Sequence, residues 1–310
     1  MQGIRRRVLE GLAEGPVSGP RLADRLDVSR AAVWKHVEAL REAGFGIESR
    51  EAGYELTAVP EFGGEAVEFG LDAPFDVEYY EEIASTNDRA RALADEGVAD
   101  VVVLADEQTG GRGRMDREWA SPSGGVWLSL VCRPDLPPAQ VPVYTLAAAV
   151  ATAEAVRAVG VEATIKWPND VLVAGDDGER KLAGVLTEME GEADRVSWVV
   201  VGVGLNANVD AGAVPDTATT VRERAGDVDR ATLTRDLLER FHELRSDPEG
   251  VLPAWRERAA TLGRRVRVET LGGEVVGTAV DVEFPGTLVV ETADGETRVS
   301  AGDCEHLRPA

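Results

Sequence analysis

Apolar residues recur at helical spacing through the first forty positions, and the period then changes twice along the chain. Val8, Leu9 and Leu12 share one helical face. Ser18 stands where a cap belongs before Leu22, Ala23 and Leu26. After the turn at Asp27-Val28, Ser29 precedes a third apolar face of Ala32, Val33, Val37 and Leu40, which Gly44 closes. Short β patterns at 47–50 and 54–56 flank Glu51-Ala52-Gly53 and read as a hairpin. The order predicts a helix-turn-helix with a β-wing over residues 1–58.

Residues 59–74, with Pro60, Gly63, Gly64, Gly70 and Pro74 among acids, read as a linker. From 75 to 262 helix and strand patterns alternate. Ser85-Thr86-Asn87 caps a helix to about 95, and apolar runs at 101–105, 126–132, 163–166, 171–173, 181–190 and 197–204 read as strands. An alanine-rich helix is expected over 145–159, with closing helices over 232–244 and 252–260. A mixed sheet flanked by helices accounts for this pattern. In 263–310 the period becomes two, with strands at 266–269, 275–282, 288–291 and 297–299 separated by Gly272-Gly273, Pro285-Gly286 and Asp294-Gly295 turns, which predicts a small β-barrel.

Charge changes the picture. The 310 residues carry 56 Asp plus Glu against 33 Lys plus Arg, a net of -23. Carboxylates hold water and cations while screening removes their repulsion, so such a surface suits molar salt and a halophilic cytoplasm is expected. Residues 1–60 hold nine cations and nine acids, so the whole excess lies in the remainder. A neutral head on an anionic body points to a polyanionic partner, and the third helix would present Arg30, Lys35, His36 and Arg41 outward for major groove and phosphates. A small helical protein-contact domain with a solvated charged face is the other account.

No apolar run approaches the roughly 18 residues that span a bilayer, and the start of the chain lacks a signal peptide's apolar core; no export and no membrane are expected. Cys132 and Cys304 lie far apart, without the spacing of a zinc site or a disulfide framework.

Only three of the 33 cations are lysine: Lys35, Lys166 and Lys181. A compact ammonium is retained where a planar guanidinium will not serve, so the latter two mark candidate chemistry. In Lys166-Trp167-Pro168-Asn169-Asp170 a proline fixes the backbone and aims an amide and a carboxylate from one corner; an ordinary turn competes with that reading. Gln108-Thr109-Gly110-Gly111-Arg112-Gly113-Arg114 combines backbone that a ligand can approach with forked donors for phosphate or carboxylate, or it is a solvated hairpin. It lacks P-loop spacing. Gly202-Val203-Gly204-Leu205-Asn206-Ala207 has dinucleotide-fingerprint spacing, but Gly212 and Pro215 break the helix that should follow. The glycines at 202 and 204 are expected to let a flat ligand lie against the strand.

Ser85-Thr86-Asn87, the 108–114 segment, Lys166–Asp170, Lys181-Leu182-Ala183-Gly184 and Gly202–Asn206 resemble, in order and spacing, the motifs of the biotin protein ligases. With the winged helix in front, the chain is similar over nearly its whole length to the bifunctional ligase/biotin operon repressors. That resemblance implies an α+β protein whose central domain is class II synthetase-like and whose C-terminal domain is a small SH3-like barrel. It implies that biotin and ATP, with Mg2+, give biotinoyl-5′-AMP, which a lysine of biotin carboxyl carrier protein then attacks. It also implies operator DNA as a partner, bound through Ser29, Arg30, Lys35, His36, Arg41 and Arg50, and a ligand-induced homodimer.

By the same resemblance Ser85, Thr86, Asn87, Gln108 and Gly111 hold biotin. Arg112, Arg114 and Lys181 neutralise the approaching anions, and Trp119 covers the intermediate. Asn169 and Asp170 serve the adenylate and the amine, Asn206 contacts the adenine side, and Gly113, Arg117, Lys166 and Gly184 complete the site. Where the family commonly has a further glycine and arginine, this chain has Met115-Asp116. A lipoate or octanoyl ligase is the rival enzyme, disfavoured because the Gly-Gly-Gly and aromatic-His features of those enzymes are absent; a biotin-sensing repressor without ligase activity is the rival binder.

Overall fold

The computed structural model describes residues 2–175 and 178–307; the middle of the connection between the strands expected at 171–173 and 181–190 lies outside them. Three helices, α1 (Gln2–Ala13), α2 (Gly19–Leu26) and α3 (Arg30–Glu42), precede the antiparallel hairpin β1 (Gly46–Arg50) and β2 (Gly53–Ala58). The expected caps form: Ser18 Oγ accepts from the Arg21 N–H and Ser29 Oγ from the Ala32 N–H. Leu9, Leu12, Leu22, Val33, Val37 and Leu40 are buried together. The turn before β2 needs glycine, because Gly53 has φ 127° and a Cβ there would lie 2.3 Å from the Val17 carbonyl oxygen.

The 59–74 segment is packed, where a linker was expected. It contains α4 (Gly64–Glu68), and Ala66, Val67, Leu71 and Ala73 enter the main core. Arg5 pairs with Glu65 at 2.6 Å, Arg6 donates to the Leu71 carbonyl, and Arg230 binds Glu61 bidentately. Few apolar residues among many turn formers resemble a linker unless a distant surface is waiting for them.

The central domain runs β3 (Asp76–Ile83), α5 (Thr86–Asp95), β4 (Val101–Gln108), β5 (Val126–Cys132), α6 (Pro142–Ala158), β6 (Ala163–Lys166), β7 (Asp170–Gly175), β8 (Gly178–Gly191), β9 (Val196–Leu205), α7 (Val221–Ala225), α8 (Arg230–Ser246) and α9 (Pro248–Arg258). Its seven strands lie in the order β3-β4-β5-β9-β8-β7-β6, with β3 parallel to β4 and every other pair antiparallel. Successive β4 residues face opposite cores. Val102 and Leu104 join the α6, α8 and α9 side, whereas Val101 and Val103 meet α5. Burial on both faces is why β4 and β5 read as unbroken apolar runs. Edge strand β3, with its acidic and half-exposed residues, gave no such signal.

Residues 138–158 are, by length and composition, apolar enough to cross a membrane, which corrects the expectation of no such run. Most of this stretch is buried against the sheet, as a core helix requires.

The C-terminal strands β10 (Arg265–Thr270), β11 (Gly273–Glu283), β12 (Thr287–Thr292), β13 (Gly295–Val299) and β14 (Asp303–His306) form one sheet in the order β13-β12-β11-β10-β14. Among the described residues β13 and β14 do not pair, so the sheet is open where a closed barrel was expected. It is fixed to the central domain through the indole N–H of Trp167, which donates to the Gly286 carbonyl at 2.8 Å, and through Arg256 on Asp281 at 2.7 Å.

Candidate active site

A cavity of about 270 Å³ opens at the end of the central sheet where β4 and β9 finish and β5 begins, beside the first turn of α5. Its floor is a continuous polar chain. Gln108 Oε1 accepts from the Thr86 amide at 2.8 Å and hydroxyl at 3.0 Å, while Gln108 Nε2 donates to Ser121 Oγ at 3.0 Å. Ser129 Oγ lies 2.8 Å from Thr86 Oγ1 and 2.6 Å from Asn87 Oδ1, and its one proton serves either acceptor. Asn87 Nδ2 donates to Glu188 at 2.7 Å, and Ser85 Oγ caps α5 by accepting from the Asp88 N–H. Gly202 is required beneath this array, since a Cβ there would meet Asn87 Oδ1 at 2.1 Å.

The Gly/Arg segment arches over the floor as a small closed hairpin. The Trp119 N–H donates to the Gly111 carbonyl at 2.9 Å and the Gly113 N–H to the Arg117 carbonyl at 2.7 Å. Gly111 admits no side chain, because Ser121 Oγ and the Trp119 carbonyl oxygen would each lie 2.5 Å from its Cβ. Arg112 binds Asp88 at the rim. Arg114 donates to Asn169 Oδ1 at 3.2 Å and to the Gly302 carbonyl at 2.8 Å, and Arg117 reaches Asp303 at 2.5 Å. Met115 sits in the left-handed region, φ 55°, at the place where the resembled family has the further arginine.

The far wall is the Lys166–Asp170 corner, which turns between β6 and β7 through a cis Trp167–Pro168 bond. Asp170 lies between two ammoniums, with Lys181 Nζ at 2.6 Å and Lys166 Nζ at 3.4 Å. Lys181 lines the cavity. Lys166, expected there too, faces an adjoining groove of about 550 Å³ instead, together with Glu179, Arg267, Cys304 and His306. Burial pushes the Cys304 thiol up to about 11, and both cysteines are free and buried.

Gly202 and Gly204 of β9 both line the cavity, and the protein's own side chains pack beside them, Asn87 at Gly202 and Trp119 at Gly204. Trp119 Nε1 would lie 2.7 Å from a Cβ on Gly204, and across the β8–β9 pairing Gly184 leaves room for Lys181 and the same ring. Lys181 Nζ stands 4.8 Å from the Trp119 ring centroid. Among the described residues, two buried polar atoms of this part of the cavity lack a partner: Trp119 Nε1, a donor, and Asn206 Oδ1, an acceptor. Buried groups left this way are where a ligand's polar edge gains most. Asn169 and Asn206 are otherwise held by backbone, through the Val185 and Thr219 carbonyls.

Of the residues expected to face DNA, Arg30 and Lys35 are exposed and, among the described residues, carry no ion pair or side-chain hydrogen bond. The others are engaged elsewhere. Arg41 is turned onto the wing, donating to the Ile47 carbonyl, Ser49 and Glu38. Arg50 pairs with Glu48 and Glu55, and Ser29 spends its hydroxyl on the cap. His36 is half-buried, and burial, with Arg5 nearby, holds its imidazole below the ordinary range.

Sequence reasoning missed Ser121, Ser129, Glu188 and the exposed Trp34. Ser129 alone had left a signal, as one hydroxyl inside the apolar run Val126–Cys132.

The description of the Biotin/lipoate A/B protein ligase family fits residues 80–206, that of an HTH domain 5–55, and that of the biotin protein ligase C terminal domain 261–307. The bifunctional ligase/repressor BirA of Bacillus subtilis is 38% identical over 93% of each chain. The biotin--[acetyl-CoA-carboxylase] ligase of Mycobacterium tuberculosis is 36% identical, over 71% of this chain and 84% of that protein. A solved biotin protein ligase from Aquifex aeolicus, in complex with biotin and ATP, superposes with a TM-score of 0.62 at 25% identity, covering 74% of this chain and 99% of that one.

Proposed function

Because the chain belongs to the biotin protein ligase family, we infer that it activates biotin with ATP and transfers it to a lysine of biotin carboxyl carrier protein, and that its head represses transcription in response to biotin. One observation carries the enzymatic reading: a single cavity joins a neutral hydrogen-bonding floor to a wall bearing Lys181 and Arg114. The floor suits a ureido ring, which offers donors and an acceptor but no charge. The wall suits the meeting of two anions.

In the first step a biotin carboxylate oxygen attacks the α-phosphorus of ATP and pyrophosphate leaves, giving biotinoyl-5′-AMP. Lys181 and Arg114 stabilise the charge gathered on phosphorus, a task that is mostly electrostatic preorganisation. Asp170 keeps the Lys181 ammonium aimed into the cavity. Arg112 exchanges Asp88 for the ligand's anionic end, and Trp119 covers the intermediate while its free N–H and Asn206 Oδ1 meet polar atoms of the adenylate. In the second step the carrier's amine attacks the acyl carbon, AMP departs and the amine loses a proton; Asn169 and Asp170 border its approach.

Among the described residues no group of three or more His, Cys, Asp and Glu side chains can hold a metal, and Asp170 is already taken by two lysines. The donor set therefore fits Mg2+ only as an ion carried in on the ATP phosphates, whose charge it would neutralise.

The finer assignments belong to this reading: a class II synthetase-like centre, an SH3-like C-terminal domain, divisions at 1–58, 59–74, 75–262 and 263–310, a cytoplasmic location and a ligand-induced homodimer. Labelled biotin, ATP, Mg2+ and a carrier domain in molar KCl should give biotinylated carrier and pyrophosphate. Transfer of lipoate or octanoate in preference to biotin, or no transfer at all, overturns it.

A further inference from the structure

The outer face of α3 carries Arg30, Ala31, Trp34 and Lys35, all exposed, with Arg30 and Trp34 one helical turn apart. Trp34 is 54% exposed and is the largest of the exposed apolar side chains. Packing within the head does not explain it, because Val33 and Val37 already fill the inner face.

The cations of the head are unusual. Nearly every arginine in this chain is paired or hydrogen-bonded, yet among the described residues Arg21, Arg30 and Lys35 have neither an ion pair nor a side-chain hydrogen bond, a condition shared outside the head only by Arg195 and Arg265. The wing offers no substitute, since its Arg50 is held by two glutamates. An apolar plate framed by free cations, on the exposed helix of a helix-turn-helix and in the one part of the chain free of net negative charge, complements DNA.

We propose that Trp34 is a sequence-reading residue, whose indole lies in the major groove against the 5-methyl group of a thymine while Arg30 and Lys35 take the flanking phosphates. The proposal rests on the reading of the head as operator-binding. Phosphate contacts weaken steeply with salt, whereas an apolar contact does not, so this residue would carry discrimination at ionic strengths where the cations contribute little.

The test starts from a random duplex pool, selected with the full chain in the presence of biotin and ATP. The wild-type protein should enrich a site with a defined thymine. Replacing that thymine by deoxyuridine, which removes only the methyl, should weaken wild-type binding about tenfold. Trp34→Ala should bind both duplexes equally, with its salt slope and ligase activity unchanged, whereas Arg30→Ala should flatten the slope. Equal binding of both duplexes by the wild type, or an undiminished thymine preference in Trp34→Ala, overturns the proposal and leaves operator binding intact. Failure of the wild type to enrich any sequence overturns both. The deoxyuridine comparison needs no variant, so misfolding cannot decide the outcome.

Discussion

Lys181 stands 2.6 Å from Asp170 and 4.8 Å from the Trp119 ring, in a space that Gly184 and Gly204 leave open. The confinement decides the ion. A compact ammonium fits between carboxylate and ring, while a guanidinium would need its plane where the indole already lies. Lys181→Ala should therefore lower adenylation by about 10²-fold or more, measured as pyrophosphate release, and Lys181→Arg should restore little. Near-normal release by Lys181→Ala would remove it from the chemistry. At the opposite end of the cavity, Gly202→Ala puts a Cβ on Asn87 Oδ1 and should displace the amide from Ser129 and Glu188. Roughly a tenfold rise in KM for biotin should follow, with KM for ATP little changed, because losing one well-placed hydrogen bond costs about 1 kcal/mol or somewhat more. An unchanged biotin KM would mean that Asn87 does not shape the floor.

The arch from Gly110 to Arg117 shows how an element can be assembled from distant parts. Its glycines and arginines suggest mobility, yet Arg114 and Arg117 reach across to Gly302 and Asp303, residues at the head of β14. The Arg117–Asp303 pair is exposed and the Arg114–Gly302 contact only part-buried, so each is individually weak and the arch should open readily and close over the adenylate. Trypsin should cut after Arg117 more slowly once biotin and ATP are added, and Asp303→Ala should speed cutting in the ligand-free protein. Equal rates in all three cases would deny the arch a lid function. Met115 adds a local cost, since a side chain in the left-handed region is strained by about 1 kcal/mol. Met115→Gly should relieve it without altering the path of the chain.

Across the whole molecule, charge and burial set the conditions for stability. A net charge of -23 favours expansion wherever it is unscreened, so the melting temperature should fall as KCl is lowered from molar to about 0.1 M. A melting temperature indifferent to salt would contradict a halophilic surface. His306 ties the C-terminal sheet to the centre, with Thr261 at 3.0 Å and Glu179 at 3.0 Å, and Arg264 and Lys166 nearby. Burial pulls its imidazole below the ordinary 6.5, overcoming the opposing pull of Glu179. The unfolded chain then binds the proton more readily, so this contribution is complete above about pH 6.5 and declines as pH falls below it. Between pH 7 and 5.5 the wild type should lose more stability than His306→Gln; identical slopes would show that the histidine titrates freely.

What the sequence determined by itself lies within short reach along the chain. Ser18, Ser29 and Ser85 cap their helices through hydrogen bonds three residues ahead, and the changes of period mark out the three regions, because these signals need only neighbouring residues. The chemistry-bearing motifs were legible for a related reason: lysine in a chain otherwise supplied with arginine, and glycine beside arginine, are local anomalies. Tertiary structure decided everything that turns on a distant partner. It buried Leu71 in the core and packed the expected linker, laid Arg41 against the wing while leaving Arg30 and Lys35 free among the described residues, turned Lys166 into the neighbouring groove, and set Trp119 against Gly204. Arg114 meets Gly302 from 188 positions away. No local pattern encodes such a pairing, because the free energy that selects it comes from surfaces that exist only once the sheets have formed.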